Sequence, residues 1–358
     1  DEARAASGPG AVLEADDPLG ALQRLATAWR RALGARVIAI TGSTGKTSTK
    51  DVLAAMLAPH RRTAATRANF NTEIGLPLSV LEAPPATEVL VLEMAMRGAG
   101  QIAELASMAE PDVGLVVNIG PVHLEQMGSL EGIAAEKAAL LTALRPGGTA
   151  VIPANEALLT GHTADGVRTV TFGPGGEVDD LGGIELPFAS AHMRLNALAA
   201  LAAARAVGVQ PAGRIEVALS ALRGQRRELP GGVLVIDDCY NANPMSMRAA
   251  LDELDATAAG RRLAVLGDML ELGGEEGAFH REVGAHARER GVDLLVTVGP
   301  LAVSMGEGFA GAGDVHAVES AAQAAELLPA LVRPGDTVLV KGSRGVGLEV
   351  VAEALASR

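Results

Sequence analysis

The sequence predicts an α/β protein: a central P-loop-type domain on a mostly parallel sheet, then a smaller, dinucleotide-fold-like α/β domain. Three observations predict it. A β-branched run at 37–40 feeds a glycine-rich turn and then a helical stretch to 57. Short apolar runs of strand length recur down the chain, separated by helical segments. Near Gly224 the alternation starts afresh.

Taken in order, residues 1–34 hold an Ala/Gly-rich lead and a helical pattern around Leu19, Leu22, Leu25 and Trp29, which reads as the tail of something larger. Residues 35–223 form the central domain, with strands expected at 37–40, 89–92, 114–118, 148–153 and 167–172 and an Ala-rich helix at 192–207. Residues 224–358 form the second domain, with strands at 233–236, 263–266, 294–298 and 337–340. Helical crossovers between successive strands imply parallel pairing.

Composition narrows the function. The 358 residues suffice for roughly two to three domains. A formal net charge of −13 argues against a broad electrostatic grip on nucleic acid or an anionic membrane. Anionic substrates must then be held by backbone N–H groups, single basic side chains or metal ions. A single cysteine, Cys239, excludes an internal disulfide framework and fits a reducing compartment. Asp1-Glu2-Ala3-Arg4 lacks a basic-then-apolar signal pattern, and no uncharged apolar run reaches the roughly 18 residues of a membrane span. The expectation is a soluble, cytoplasmic protein, monomeric, with no nucleic-acid partner and no stable membrane insertion. Of 30 basic residues only Lys46, Lys50, Lys137 and Lys341 are lysines. Arginine can replace lysine on most solvated faces, though not where a deprotonatable amine is needed.

Thr41-Gly42-Ser43-Thr44-Gly45-Lys46-Thr47-Ser48 follows a strand and opens a helix. Glycines let the backbone wrap phosphate oxygens, and the helix N-terminus adds a positive dipole end. Lys46 can reach the outer phosphates, and the Thr47 hydroxyl is placed to ligate Mg²⁺. The strict P-loop spacing wants glycine where this chain has Ile40. Lys50, further along the helix, reads as solvated.

This short loop is the variant seen in Mur ligases and folylpolyglutamate synthases, and further segments extend the resemblance to the Mur ligase family. Asn71-Thr72-Glu73-Ile74-Gly75 resembles the family's Asn-x-Glu-Ile-Gly segment, and Leu92-Glu93-Met94 its strand-end glutamate. Asn118-Ile119-Gly120-Pro121-Val122-His123 resembles its Asn-Ile-x-x-x-His stretch. His192-Met193-Arg194-Leu195-Asn196 looks like its adenine segment, with Met193 in place of the usual asparagine. Asp237-Asp238-Cys239-Tyr240-Asn241-Ala242-Asn243-Pro244, Gly267-Asp268-Met269-Leu270-Glu271-Leu272-Gly273 and Lys341-Gly342-Ser343-Arg344-Gly345 are similar to the branch that adds a dipeptide.

The resemblance implies that ATP activates a carboxylate as an acyl phosphate, which an amine attacks to give an amide, ADP and phosphate. It implies UDP-N-acetylmuramoyl-tripeptide and D-alanyl-D-alanine as substrates in peptidoglycan precursor synthesis. Two Mg²⁺ sites are expected, with Thr47 and Glu93 holding one and His123 helping with the other. By sequence alone a lone histidine after a strand is more often a structural hydrogen-bonder, and Lys137 reads as an exposed helix lysine. The resemblance makes Lys137 a carbamylated metal ligand instead. Gly42 to Ser48, Asn196 and Asp238 are the expected nucleotide contacts. Asn71, Asn241, Asn243 and Lys341 are expected at the substrates. An arginine near Arg226 should meet the γ-phosphate, with Arg223 and Arg227 as alternatives. Cys239 reads as packing.

Residues 1–34 are too short for the family's UDP-sugar-binding domain and resemble only a remnant of it; a truncated chain or missing disordered residues would explain that. Two other readings compete. A folylpolyglutamate-synthase-like ligase tends to carry an Asp-Gly-Ala-His-Asn-Pro loop in place of Asp-Asp-Cys-Tyr-Asn-Ala-Asn-Pro. A non-catalytic nucleotide-binding module would not need His123, Lys137 or a second polar-looped domain.

Overall fold

Six strands, β1 (Arg36–Thr41), β2 (Thr63–Ala65), β3 (Val89–Glu93), β4 (Val113–Val116), β5 (Thr149–Pro153) and β6 (Arg168–Phe172), pair in parallel in the order β2–β3–β1–β4–β5–β6. This is a computed structural model, and it describes residues 14–188, 190–220 and 222–357. The inner strands are apolar at nearly every position because helices cover both sheet faces. Along β1 the side chains alternate: Val37 and Ala39 face one core, Ile38 and Ile40 the other. Helices Pro18–Leu33, Gly75–Leu81, Gln101–Ala109 and Leu130–Thr142 close the first core. Helices Lys46–Leu57 and Ala191–Ala206 close the second, the latter with a buried Ala/Leu run from Ala197 to Ala204 that lets the two helices approach closely.

The chain leaves β1 toward β2 and β3 on one side and later returns to β4 on the other. Such a reversal opens a crevice at the carboxyl ends of the strands, the usual ligand position in open α/β sheets. The loops after β1, β3 and β4 all end there.

The second sheet contains β9 (Gln225–Leu229), β10 (Val233–Asp237), β11 (Arg262–Gly267), β12 (Leu294–Val298), β13 (Asp314–Val318) and β14 (Thr337–Lys341). Their order is β13–β12–β11–β14–β10–β9. All pairs are parallel except β9 with β10. The expected inner strands are present to within a residue or two. The pattern reading missed β2, β9 and β13, which are edge strands. Edges tolerate polar, half-exposed sequences such as Gln-Arg-Arg-Glu-Leu, so hydrophobic periodicity is weak there. It also missed the short pair β7 (Ile184–Glu185) and β8 (Gly213–Arg214).

The sequence reading set residues 1–34 apart, and the first 13 of these lie outside the described residues. The helix Pro18–Leu33 belongs to the central core. Asp17 caps it, Pro18 occupies its first turn and Gly34, at φ 63°, ends it. Trp29 donates to the Ala83 carbonyl at 3.2 Å, and the buried Arg30 donates to the carbonyls of Ala109 and Glu110 at 2.9 and 2.7 Å.

Candidate active site

The turn after β1 is built for an anion. Gly42 faces Val117 so closely that a Cβ there would stand 2.9 Å from the valine Cβ, and Gly45 adopts φ 75°. The loop is braced from the β4 side. The Ser43 hydroxyl donates to the Gly120 carbonyl and accepts from its N–H, while Thr44 N–H donates to Asn118 Oδ1 at 2.9 Å. Gly45 stands at the N-cap of the helix Lys46–Leu57, and no side-chain cap is made there among the described residues, so its first N–H groups are available to phosphate oxygens. Lys46 Nζ donates to the Gly42 carbonyl at 2.7 Å. Burial, seconded by the Arg223 charge, lowers its pKa to about 8, and Glu93 opposes the shift. Asn196 packs on this loop: its Oδ1 lies 2.5 Å from where a Gly45 Cβ would be.

Glu93 ends β3 fully buried. Its Oε1 accepts from Asn71 Nδ2 at 2.8 Å, while Oε2 has no hydrogen-bond partner among the described residues. A buried carboxylate oxygen without a donor is costly unless a cation completes it. Asn71, expected at a substrate, thus orients Glu93. Lys137, expected from pattern alone to be exposed, is 2% exposed on the helix Leu130–Thr142, and no hydrogen bond or ion pair reaches its Nζ among the described residues. Burial, and then the Lys46 charge, push its pKa well below the ordinary lysine value. Lys46 also bears on His123, whose pKa burial lowers. Lys46, Glu93, His123 and Lys137 therefore share one electrostatic neighbourhood. The described residues contain no cluster of three His, Cys, Asp or Glu side chains suited to a metal. A cation here would be held by the mixed set of Thr47, Glu93 and phosphate oxygens.

The second domain supplies the opposite wall, and several expectations change there. Arg226 is engaged by Glu253 and Thr257, and Arg227 lies 3.3 Å from Asp237. Arg223 stacks on the Tyr240 ring at 4.0 Å and is the arginine whose charge reaches Lys46; all three arginines line the cleft, and Arg223 joins Arg226 as a candidate phosphate contact. Lys341, expected at the acceptor, is buried and bonds Asp238 Oδ2 at 2.5 Å and the Asn241 carbonyl at 3.0 Å. It braces the loop that carries Asp238. Asn243 caps the helix Pro244–Thr257 in a capping box. Lys50, expected to be solvated, is 3% exposed and donates to the Thr66 carbonyl at 2.9 Å. Burial, and then the hydrogen bond to Asp237, push the Cys239 thiol pKa up, which argues for packing and against a nucleophile.

Two contacts that the sequence reading missed join the walls. Met245 Sδ lies 3.4 Å from the Thr44 hydroxyl, over the phosphate loop. Glu271 hydrogen-bonds His123, both from left-handed backbone. The glutamate stands in a motif that had been singled out, but nothing local shows where it points. The cleft measures about 960 Å³, and Lys46, Asn196, Arg223, Asp238 and Lys341 all line it.

Residues 40–183 match the Mur ligase middle domain, and residues 213–344 match the Mur ligase, glutamate ligase domain. The UDP-N-acetylmuramoyl-tripeptide–D-alanyl-D-alanine ligase of Bacillus subtilis is 38% identical, over 96% of this chain and 81% of the relative. A crystal structure of MurF from Acinetobacter baumannii superposes with TM-score 0.87 at 30% identity, covering 97% of this chain and 82% of that one. MurF from Thermotoga maritima, solved with ADP, gives TM-score 0.84 at 28% identity, covering 98% and 86%.

Proposed function

The chain belongs to the Mur ligase family, and we propose that it joins D-alanyl-D-alanine to UDP-N-acetylmuramoyl-tripeptide, with ATP converted to ADP and phosphate. One observation carries the chemical half of this reading. The phosphate loop lines a cleft between two domains, and its Lys46 is electrostatically coupled to a buried carboxylate with an orphaned oxygen, Glu93, and to a buried lysine, Lys137, whose amine has no hydrogen-bond partner among the described residues. The identity of the substrates rests on the relatives.

The steps balance without an outside oxidant or reductant. A substrate carboxylate oxygen attacks the γ-phosphorus of ATP, the bond to the β-phosphate oxygen breaks and ADP leaves. The amine of the dipeptide then attacks the acyl carbon, phosphate departs and the amine proton is released. Both transition states gather negative charge on oxygen, so fixed positive groups are worth most there. Lys46 and the free N–H groups of its helix hold the outer phosphates, and Arg223 meets the charge from the other wall. Met245 closes over the loop and limits the access of water to a hydrolysable intermediate.

Thr47 and Glu93 fit Mg²⁺, since Asn71 holds one carboxylate oxygen and leaves the other bare. His123 and Lys137 are the candidates for a second ion. Bound Mg²⁺ would neutralise phosphate charge and orient the transferred group. An ammonium at Lys137 would repel such an ion, whereas its lowered pKa supplies the neutral amine that carbon dioxide needs to form an anionic carbamate.

The folylpolyglutamate-type reading is not favoured, because the D-alanyl-D-alanine ligases are 32–39% identical over most of the chain, whereas folylpolyglutamate synthases share the fold at only about 20% identity. No helix among the described residues is long and apolar enough to cross a membrane. The substrates and the single cysteine favour the cytoplasm. Phosphate release measured with a panel of UDP-muramoyl peptides and amine acceptors tests the assignment. Release should require the tripeptide precursor together with D-alanyl-D-alanine; equal release with glutamate and a folate would overturn it.

A further inference from the structure

Lys50 and Asp51 take part in no step described so far, yet both are withdrawn from solvent, with side-chain exposures of 4% and 10%. A buried ammonium persists only when paired. Lys50 Nζ lies 3.1 Å from Asp51 Oδ1 and donates to the Thr66 carbonyl at 2.9 Å. Asp51 turns its carboxylate to residue 220, far away in sequence. Oδ2 accepts the Ser220 backbone N–H at 2.8 Å, and Oδ1 accepts its hydroxyl at 3.2 Å. At the other end, the Thr66 hydroxyl accepts the N–H of Glu93 at 2.9 Å. A continuous polar chain thus runs from the strand end that carries Glu93, through the phosphate-loop helix, to Ser220.

Ser220 stands just before the passage between the domains. Leu222 and Gly224 both have left-handed backbone, φ 58° and 69°, and Arg223 lies between them. The Leu222 carbonyl accepts from Tyr240 N–H at 3.4 Å, and Arg223 stacks on the Tyr240 ring. The segment bearing the arginine is therefore held at two points, by Asp51 on the phosphate-loop helix and by Tyr240 on the second domain.

We propose that Asp51 is a positioning residue for phosphoryl transfer: it anchors Ser220 to the helix behind the phosphate loop, so that Arg223 is presented to the phosphates at a fixed height. Lys50 pairs with the anchoring carboxylate at 3.1 Å, and hydrogen bonds to a charged acceptor are roughly twice as strong as neutral ones. The proposal rests on the reading of the cleft as a phosphoryl-transfer site. Asp51 touches no substrate and acts through Arg223.

A double-mutant cycle on the whole chain tests this. Asp51→Ala should lower kcat about tenfold, the loss expected when one charged group is misplaced, with the affinity for a non-hydrolysable ATP analogue within about threefold. Arg223→Ala should lose at least as much. The double variant should be no worse than Arg223→Ala alone, because the first change acts through the second residue. Asp51→Asn, which keeps an acceptor for Ser220, should recover part of the rate, and it carries the same cycle if the alanine variant does not fold. Losses that multiply in the double variant would show that Asp51 acts independently of Arg223 and would overturn the anchor alone. An Arg223→Ala enzyme with wild-type kcat would remove the arginine's role, and the proposal with it.

Discussion

His123 and Glu271 hydrogen-bond across the domain boundary, and each does so from left-handed backbone, at φ 53° and 65°. For non-glycine residues that conformation costs about 1–3 kcal/mol and survives only where surrounding contacts impose it. The contact therefore fixes the separation of the walls as well as the orientation of the imidazole. Glu271→Ala should lower kcat about tenfold and raise the KM for the amine substrate, whereas Glu271→Gln, still able to bond the ring, should stay within about threefold. Steady-state kinetics on both variants decide the matter, and wild-type kinetics for the alanine variant would contradict it.

Lys137 gives the second prediction. A carbamate needs a lysine that can lose its proton, and arginine cannot do so. Lys137→Arg should be inactive while still folded. Lys137→Ala should also be inactive, but partly rescued by millimolar acetate or formate, small carboxylates that can enter the vacated space (concentrations on the order of a weak ligand's Kd). Mass spectrometry of the native protein should find carbon dioxide on this side chain. An active arginine variant, or a failure of rescue in a folded, nucleotide-binding alanine variant, would count against the carbamate.

His280 governs a third. It is fully buried on the helix Glu276–Glu289, its Nε2 accepts Met269 N–H at 2.9 Å, and its Nδ1 lies 2.7 Å from the Glu276 carbonyl. That pattern requires the neutral ring, with the proton on Nδ1. Burial holds its pKa below the ordinary 6.5. The unfolded chain then takes up this proton first as pH falls. The histidine's contribution to stability is complete above 6.5 and is lost as pH drops through the folded-state value. His280→Phe should cost about 1–3 kcal/mol at neutral pH and flatten the fall in Tm between about pH 7 and 5. An unchanged pH slope would refute the assignment.

Legibility in the sequence followed the range of the interactions. The phosphate loop is continuous in sequence, so its glycines, Lys46 and Thr47 could be read directly, as could Glu93 at the end of an apolar strand. Residue types were informative, but orientations were not. Lys341 at the end of β14 and Asn243 in a polar loop both line the cleft, yet one braces a turn and the other caps a helix. Lys50 looked like a solvated helix residue because its partners, Thr66 and Asp51 with Ser220 behind it, come together only through tertiary packing. The choice among Arg223, Arg226 and Arg227 could not be made from spacing. It turns on tertiary contacts, such as those of Arg226 with Glu253 and of Arg227 with Asp237.

The central claim is that this cleft makes an amide through an acyl phosphate. The direct test is isotopic: supply UDP-N-acetylmuramoyl-tripeptide with both oxygens of its reacting carboxyl group labelled with oxygen-18, together with ATP and D-alanyl-D-alanine, and analyse the phosphate released. When the carboxylate attacks phosphorus, one labelled oxygen becomes the bridge and leaves with the phosphate, so each amide formed should yield one singly labelled phosphate. Unlabelled phosphate accompanying the amide product would contradict the account.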